Sequence, residues 1–148
     1  MLRVLVVDDD ADIRYLAQAA LDDMVVLEAA DGPSALAILD RAEIDLVLLD
    51  VMMPSMDGFS VLEAIRRRSR HRDVPVVMLT AKAGEADHVA AFRIGADAYL
   101  TKPFDMDGLI NTITDVTARN PSQRNAARQA ELGRAELLRQ IEFGFRQG

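Results

Sequence analysis

The sequence contains no cysteine and only two histidines among its 148 residues. The absence of cysteine excludes disulfide bonds, thiolate nucleophiles and thiolate metal sites, and with two histidines a zinc site would depend on carboxylates. No apolar run approaches the roughly 18 residues that a membrane span needs. The N-terminus also lacks the cationic, apolar and small-residue regions of a signal peptide. We therefore expect a cytoplasmic protein that does not enter a membrane.

Basic residues are also scarce, since 17 Lys and Arg stand against 24 Asp and Glu. The formal charge of −7 argues against direct nucleic-acid binding, because phosphate contacts need Lys and Arg. Residues 119–148 carry six Arg and three Glu, whereas the first 118 residues carry 11 basic and 21 acidic groups. Asp outnumbers Glu by 17 to 7, and such an excess indicates turns, helix caps or a metal site.

Five short apolar runs alternate with segments of helical spacing. They cover residues 4–7, 25–27, 46–49, 76–79 and 98–100. Continuous Val-rich runs are typical of strands buried on both faces of a parallel sheet. The alternation predicts an α/β, doubly wound fold with five parallel strands and five helices, the fifth helix spanning about Met106 to Ala118.

The C-terminal segment starts with residues that are typical of a helix N-terminus. Asn120, Pro121 and Gln123 form a helix start, with Asn as the N-cap and Pro at the first helical position. The segment therefore predicts a sixth helix, and we divide the chain into a domain of residues 1–119 and a helical tail or linker of residues 120–148. Its apolar positions follow a spacing of three and four: Ala127, Ala130, Leu138, Ile141 and Phe145.

That spacing indicates a short coiled coil or linker helix, and Arg134, Gly133 and Gly144 interrupt it. A frayed helix, or the remnant of a longer linker, is an equal alternative. A second copy of this chain, paired through the C-terminal helix, is accordingly a candidate partner.

Polar residues stand where the predicted strands end. They are Asp8 to Asp10 after the first strand, Asp50 at the end of the third, Thr80 at the end of the fourth and Lys102 after the fifth. In parallel sheets these ends meet at one edge, where ligands bind. The first three carboxylates alone could cap a helix, but a further one beside them favours a bound cation, and an all-oxygen ligand set suits Mg²⁺. Carboxylates in place of a Gly-rich turn exclude a dinucleotide or P-loop site.

Six short motifs follow one another along residues 2–118. They are Leu5–Asp10, Leu48–Pro54, Met56–Gly58, Leu79–Ala81, Gly95–Tyr99 and Leu100–Phe104. In this order and spacing they resemble the receiver domain of two-component response regulators. The resemblance implies a flavodoxin-like sheet of order 2-1-3-4-5, to which this chain adds the C-terminal helix.

The resemblance also assigns roles at the metal site. Asp50 is implied to be the phosphoacceptor, which takes a phosphoryl group from a sensor histidine kinase or a phosphotransfer protein in a Mg²⁺-dependent reaction. Asp9 and Asp50 are implied to ligate Mg²⁺ directly, Asp8 mainly through water, and the main-chain carbonyl of Met52 to complete the protein's ligands. Since Met52 cannot orient a water molecule, we expect slow self-hydrolysis, which Lys82 could alter in either direction.

Three further residues are implied to act with Asp50. Lys102, whose bond to Pro103 the resemblance implies to be cis, pairs with Asp50 before transfer and with the phosphoryl group afterwards. Thr80 donates its hydroxyl to that group, and Tyr99 then turns inward, which switches the surface of the fourth helix, fifth strand and fifth helix. The alternative for Tyr99 is a packed aromatic ring with a hydrated hydroxyl.

Three functions remain to be separated. The first is a phosphorylatable receiver, a signalling domain rather than an enzyme on external substrates, whose output domain or partner protein is unknown. The second is a receiver-like interaction module that does not use phosphate. The third is a metal-dependent phosphatase, which is disfavoured because Met52 stands where a second Asp would be needed. Asn and Thr in the fifth helix put the usual receiver dimer in doubt, and we expect the five Arg between residues 66 and 72 to be a solvated helix end.

Overall fold

The computed structural model describes residues 1–81 and 85–147, without the side chains of residues 85–88, 142–143 and 145–147. The strands are β1 (Arg3–Val7), β2 (Val25–Ala29), β3 (Leu46–Asp50), β4 (Val76–Thr80) and β5 (Ala98–Thr101). The helices are α1 (Ala11–Ala20), α2 (Gly32–Arg41), α3 (Gly58–Arg67), α4 (Glu85–Ile94), α5 (Met106–Thr117) and α6 (Pro121–Gln147). Within these ranges, no helix combines the length and the hydropathy needed to cross a bilayer.

The strands form one parallel sheet in the order β2-β1-β3-β4-β5, as predicted. Its register places Val6 of β1 beside Leu48 of β3, and Leu49 beside Met78 of β4. Every residue of β3 and β4 is buried, whereas the edge strands β2 and β5 are mostly half-buried. The Val-rich runs are therefore continuous because side chains on both sheet faces must exclude water.

Helices cover both faces of the sheet and create two apolar cores. Leu5 and Val7 of β1 point toward α2, α3 and α4, whereas Val4 and Val6 point toward α1 and α5. This alternation is the two-residue period of a strand, and it allows each helix to bury one apolar stripe against the sheet.

Part of the Asp excess is used to cap helices. Four side chains accept a hydrogen bond from the first helical turn: Asp10 in α1, Asp31 in α2, Asp57 in α3 and Asp105 in α5. A carboxylate at this position satisfies free N–H groups and interacts favourably with the positive end of the helix. The prediction that Asp57 is an N-cap is confirmed.

Helix α6 begins where the sequence predicts. The amide of Asn120 donates to Gln123 Oε1 (2.9 Å), and the amide of Gln123 donates to Asn120 Oδ1 (2.8 Å). This reciprocal pair caps α6 in the predicted way. The helix runs through Gly133 and Gly144, so the two glycines do not end it.

The face that α6 turns toward the domain differs from the predicted apolar stripe. Arg124 and Ala135 are buried, while Ala130, Leu138 and Ile141 are exposed and the side chain of Phe145 lies outside the described residues. Ala127, the remaining member of the predicted stripe, is half-buried. The contact face therefore combines apolar with charged residues, and apolar spacing alone could not indicate the charged ones.

The basic run after α3 also departs from expectation at one residue. Arg67, Arg68 and Arg70 make surface ion pairs with Glu63, Asp40 and Glu43. Arg66 is instead half-buried and donates to the carbonyls of Gly95 and Val74. Arg66 therefore links α3 to the segments that precede β4 and β5. The expectation of a solvated helix end is wrong for this residue.

Candidate functional site

The carboxyl ends of the strands hold the polar residues at one edge of the sheet. The amide of Asp8 donates to Ala29 O (3.1 Å), and the amide of Lys102 donates to Thr80 O (2.7 Å). These bonds continue the sheet pairing by one residue beyond β1 and β5. Main-chain hydrogen bonds therefore hold the backbone on both sides of the site, independently of its side chains.

Three carboxylates converge at this edge. One oxygen from each of Asp8, Asp9 and Asp50 lies within 4.8 Å of the others. Asp8 is fully buried, Asp50 is 4% exposed and Asp9 faces solvent. Asp10 turns away to cap α1, although its amide donates to Asp8 Oδ1 (2.9 Å). The acidic run therefore provides both a helix cap and a candidate metal site: Asp10 caps α1, and Asp8 and Asp9 belong to the carboxylate cluster.

Among the described residues, Lys102 supplies the positive charge of this cluster. Its Nζ donates to Asp8 Oδ2 (2.7 Å) and lies 3.4 Å from Asp50 Oδ1. The peptide bond between Lys102 and Pro103 is cis, as the resemblance implies. The closer partner is Asp8, whereas the resemblance pointed to Asp50, which Lys102 also contacts.

In the part of the chain that the structure describes, three carboxylates of this cluster face one ammonium group, that of Lys102. Burial and the charge of Asp8 raise the pKa of Asp50 to about 6, against the smaller opposing effect of Lys102. Burial acts to lower the pKa of Lys102, but hydrogen bonds and charges from Asp8 and Asp50 outweigh it and raise that pKa. Three carboxylates and one ammonium are the arrangement that a divalent cation completes. Since all donors are oxygens, Mg²⁺ fits this site better than a transition metal.

The raised pKa predicts a pH dependence of stability in metal-free protein. The folded protein holds a proton on Asp50 up to about pH 6, whereas the unfolded chain loses it near pH 4. Stability should therefore fall, on the order of 1–3 kcal/mol, as pH rises from about 4 to 6. Urea unfolding in chelator should show this fall in wild type and a weaker one in Asp50→Asn. Parallel pH profiles for the two proteins would contradict the effect.

The other predicted residues surround this cluster. Thr80 is fully buried at the end of β4, and Tyr99 is half-buried on β5 with its ring against the core beneath α2, α3 and α4. The side chain of Met52 is 56% exposed, and its amide lies 3.4 Å from Asp50 Oδ1. Lys82 lies outside the described residues.

Gly58 fixes the position of the third helix beside Asp50. A Cβ on Gly58 would lie 2.2 Å from the main-chain oxygen of Asp50 and 2.8 Å from Val51 Cα. The amide of Gly58 donates to Val51 O (2.9 Å). Only glycine permits this approach, which explains the Gly of the Met56–Gly58 motif.

Sequence reasoning missed a second polar cluster, outside the carboxylate site. Asp97 is buried just before β5 and is contacted by three arginines, of which Arg124 and Arg128 belong to α6. Arg124 and Arg128 are four residues apart, and this spacing in the sequence indicates that they lie on the same face of a helix. Nothing in the sequence indicated that Asp97 was their partner.

Comparison with known proteins agrees with this geometry. Residues 4–114 match the family described as the response regulator receiver domain. The chain is 37% identical over 134 residues to the DNA-binding dual master transcriptional regulator RpaA of Synechocystis, covering 89% of this chain and 56% of that protein. It is 42% identical over 122 residues to the transcriptional regulatory protein CpxR of Klebsiella pneumoniae, covering 81% and 51%. The chain thus spans about half the length of these relatives.

Solved structures show the same fold. The chemotaxis protein CheY4 of Vibrio cholerae superposes with a TM-score of 0.76 at 36% identity, over 78% of this chain and 98% of that one. The sheet order, the acidic cluster at its carboxyl edge and the family match over residues 4–114 lead to one assignment. The chain belongs to the receiver domain family of two-component response regulators.

Proposed function

We propose that Asp50 accepts a phosphoryl group from a sensor histidine kinase or a phosphotransfer protein. The observation that carries this proposal is the convergence of Asp8, Asp9 and Asp50 beside Lys102. A carboxylate oxygen of Asp50 attacks phosphorus while the bond from phosphorus to the donor's imidazole nitrogen breaks, which leaves an acyl phosphate on Asp50. Beyond this transfer and the slow hydrolysis of the acyl phosphate, which returns the carboxylate of Asp50 and releases inorganic phosphate, the domain has no substrate of its own.

Asp8, Asp9, Asp50 and the main-chain carbonyl of Met52 would hold the Mg²⁺ ion. When bound, the ion supplies charge neutralisation for the transferring phosphoryl group. Asp9 and Asp50 would act as direct ligands and Asp8 mainly through water. The ammonium of Lys102, near Asp8 and Asp50 alike, is placed to exchange its contact with the carboxylates for one with the phosphoryl oxygens.

The switch follows from the added charge. Phosphorylation places about −1.5 to −2 charges at a nearly buried position. Thr80 then donates its hydroxyl to the phosphoryl group, and Tyr99 turns inward in response. The surface formed by α4, β5 and α5 changes shape as a result, because the two conformations bind the phosphoryl group unequally.

The response to this switch is carried out by a separate domain or protein. Relatives of this chain are named as transcriptional regulators, and the match to this chain covers about half of their length. We propose that residues 1–119 form the receiver and residues 120–148 a helical tail, that the output is a separate domain or protein, and that the chain itself does not bind nucleic acid. The proposed place of action is the cytoplasm.

Intact mass spectrometry tests this function. Wild type incubated with Mg²⁺ and a small acyl-phosphate donor should gain one phosphoryl group, and Asp50→Asn should gain none. The matched control is Asp23→Asn, an exposed Asp remote from the site, which should behave as wild type. Omitting Mg²⁺ should remove the adduct.

Two outcomes contradict the proposal. An adduct that persists in Asp50→Asn places the phosphoryl group elsewhere. Wild type that gains no adduct from the donor, and none from a histidine kinase, is a receiver-like module that works without phosphate.

The lifetime of the adduct should depend on Met52. Its side chain is exposed beside Asp50 and offers no hydrogen bond to an attacking water. Met52→Asn introduces an amide that can orient the water, so we expect its adduct to decay several-fold faster than that of wild type. Met52→Leu, an apolar change of similar volume, is the control. A wild-type adduct that decays faster than that of Met52→Asn contradicts this account.

A further inference from the structure

We propose that α6 is a displaceable occupant of the switch surface formed by α4, β5 and α5. Its docking stabilises the unphosphorylated state, and phosphorylation of Asp50 releases it. The proposal extends the function proposed above and rests on it. The carrying observation is that α6 packs along α4 and is anchored at the start of β5.

The anchor is the buried carboxylate of Asp97. Its side chain is 1% exposed and lies 2.7 Å from Arg128 Nη1, 3.5 Å from Arg124 Nη1 and 3.3 Å from Arg66 Nη2. It also accepts from the amide of Val76 (3.0 Å). Two of its three guanidinium partners thus come from α6, so that helix carries much of the positive charge around a carboxylate that water cannot reach.

Further contacts extend the docked region along α6. Arg124 donates a second bond to the carbonyl of Asp73 (2.7 Å). Glu136, three helical turns later, pairs with Arg93 of α4. Ala135 is 8% exposed. The first sixteen residues of α6 are therefore docked, whereas beyond them Leu138 and Ile141 are exposed.

The docked helix also faces, across a groove, the residue that is proposed to switch. A groove of about 480 Å³ lies between α6 and the surface of α4, β5 and α5. Tyr99 lines it from β5, and Ala127 and Glu131 line it from α6. A Tyr99 ring that turns inward changes the wall of this groove.

Phosphorylation acts on both elements that hold α6. Asp97 stands two residues before Tyr99, and α4 is the next helix after Thr80. A partner that uses the switch surface must also displace α6, and the surface fits a helix that presents two basic residues one turn apart. Because coupling between two equilibria is reciprocal, loosening α6 must favour phosphorylation by the same factor as phosphorylation loosens α6.

Hydrogen exchange and phosphoryl uptake in the full chain test the proposal. Wild type with Mg²⁺ and an acyl-phosphate donor should exchange amides of residues 121–136 at least about fivefold faster than without the donor. Arg128→Ala should show fast exchange there without the donor, and its ratio of phosphorylated to free protein at equilibrium with the donor should be at least about fivefold higher than that of wild type. Arg139→Ala, which removes the same charge from an exposed position of α6, should change neither quantity.

A second design keeps the test valid if Arg128→Ala does not fold. Arg93→Glu places two acids opposite each other and should loosen α6, whereas Arg93→Glu combined with Glu136→Arg should restore protection. Wild type that forms the adduct while exchange in α6 stays unchanged overturns this proposal and leaves the proposed function standing. Wild type that forms no adduct overturns both.

Discussion

Replacing Asp97 with alanine should destabilise the protein by about 3–5 kcal/mol. The change leaves three guanidinium groups without their common carboxylate and removes the acceptor for the amide of Val76. Burial already lowers the pKa of Arg66 to about 10, assisted by the charges of Arg128 and Arg124 and opposed by Asp97. Without Asp97 these arginines would repel one another inside the fold. Urea denaturation in the presence of Mg²⁺ measures the loss.

The control for this prediction is Asp23→Ala. It is the same chemical change at an exposed turn residue, so its effect should stay within about 0.5 kcal/mol. Asp97→Asn keeps the shape and removes the charge, and should fall between wild type and Asp97→Ala. Equal stabilities for Asp97→Ala and Asp23→Ala would show that the cluster does not hold the fold together.

Replacing Gly58 with alanine should damage both stability and phosphoryl uptake. The new methyl group would meet the backbone of Asp50 and Val51, and since backbone cannot rotate out of the way, α3 or β3 must move. Overpacking of this kind costs about 1–3 kcal/mol. A shift of about 1 Å in a reacting group can slow a reaction on the order of 100-fold. We therefore expect the acyl-phosphate reaction to slow by tenfold or more, measured by intact mass at fixed times.

Gly133→Ala is the matched control with the opposite expected sign. Nothing lies within 4 Å of a Cβ at Gly133, so alanine there should stabilise α6 by about 0.5–1 kcal/mol through its better helix propensity. If Gly58→Ala also proved neutral or stabilising, with normal phosphoryl uptake, the close contact between α3 and Asp50 would not be needed for the site.

The strands were predictable because each one is a short, continuous run of apolar residues in the sequence. Runs such as residues 46–49 and 76–79 need water excluded from both faces, and a parallel sheet is the arrangement that provides this. The start of α6 was equally visible, since Asn120 and Gln123 satisfy each other locally. The cap of α6 depends on residues only three positions apart, and the exclusion of water from the strands acts on every apolar residue alike. Both effects can therefore be recognised from the sequence.

The carboxylate site was predictable for a related reason. Asp50 and Lys102 are 52 residues apart, yet each ends or follows a strand, and parallel strands bring such positions to one edge. The closer contact of Lys102 with Asp8 was not visible in the sequence, because it depends on where the two carboxylates lie in three dimensions.

By itself the sequence determined the order of elements, the polar edge of the sheet and the extra helix, because periodicity, capping and strand ends are local properties. Only the tertiary structure decided where α6 lies and which charges hold it. Arg66, Arg124 and Arg128 look like surface residues along the chain, and all three contact the buried carboxylate of Asp97. A pairing between separate elements is set by packing in three dimensions, so neither residue spacing nor composition could assign it.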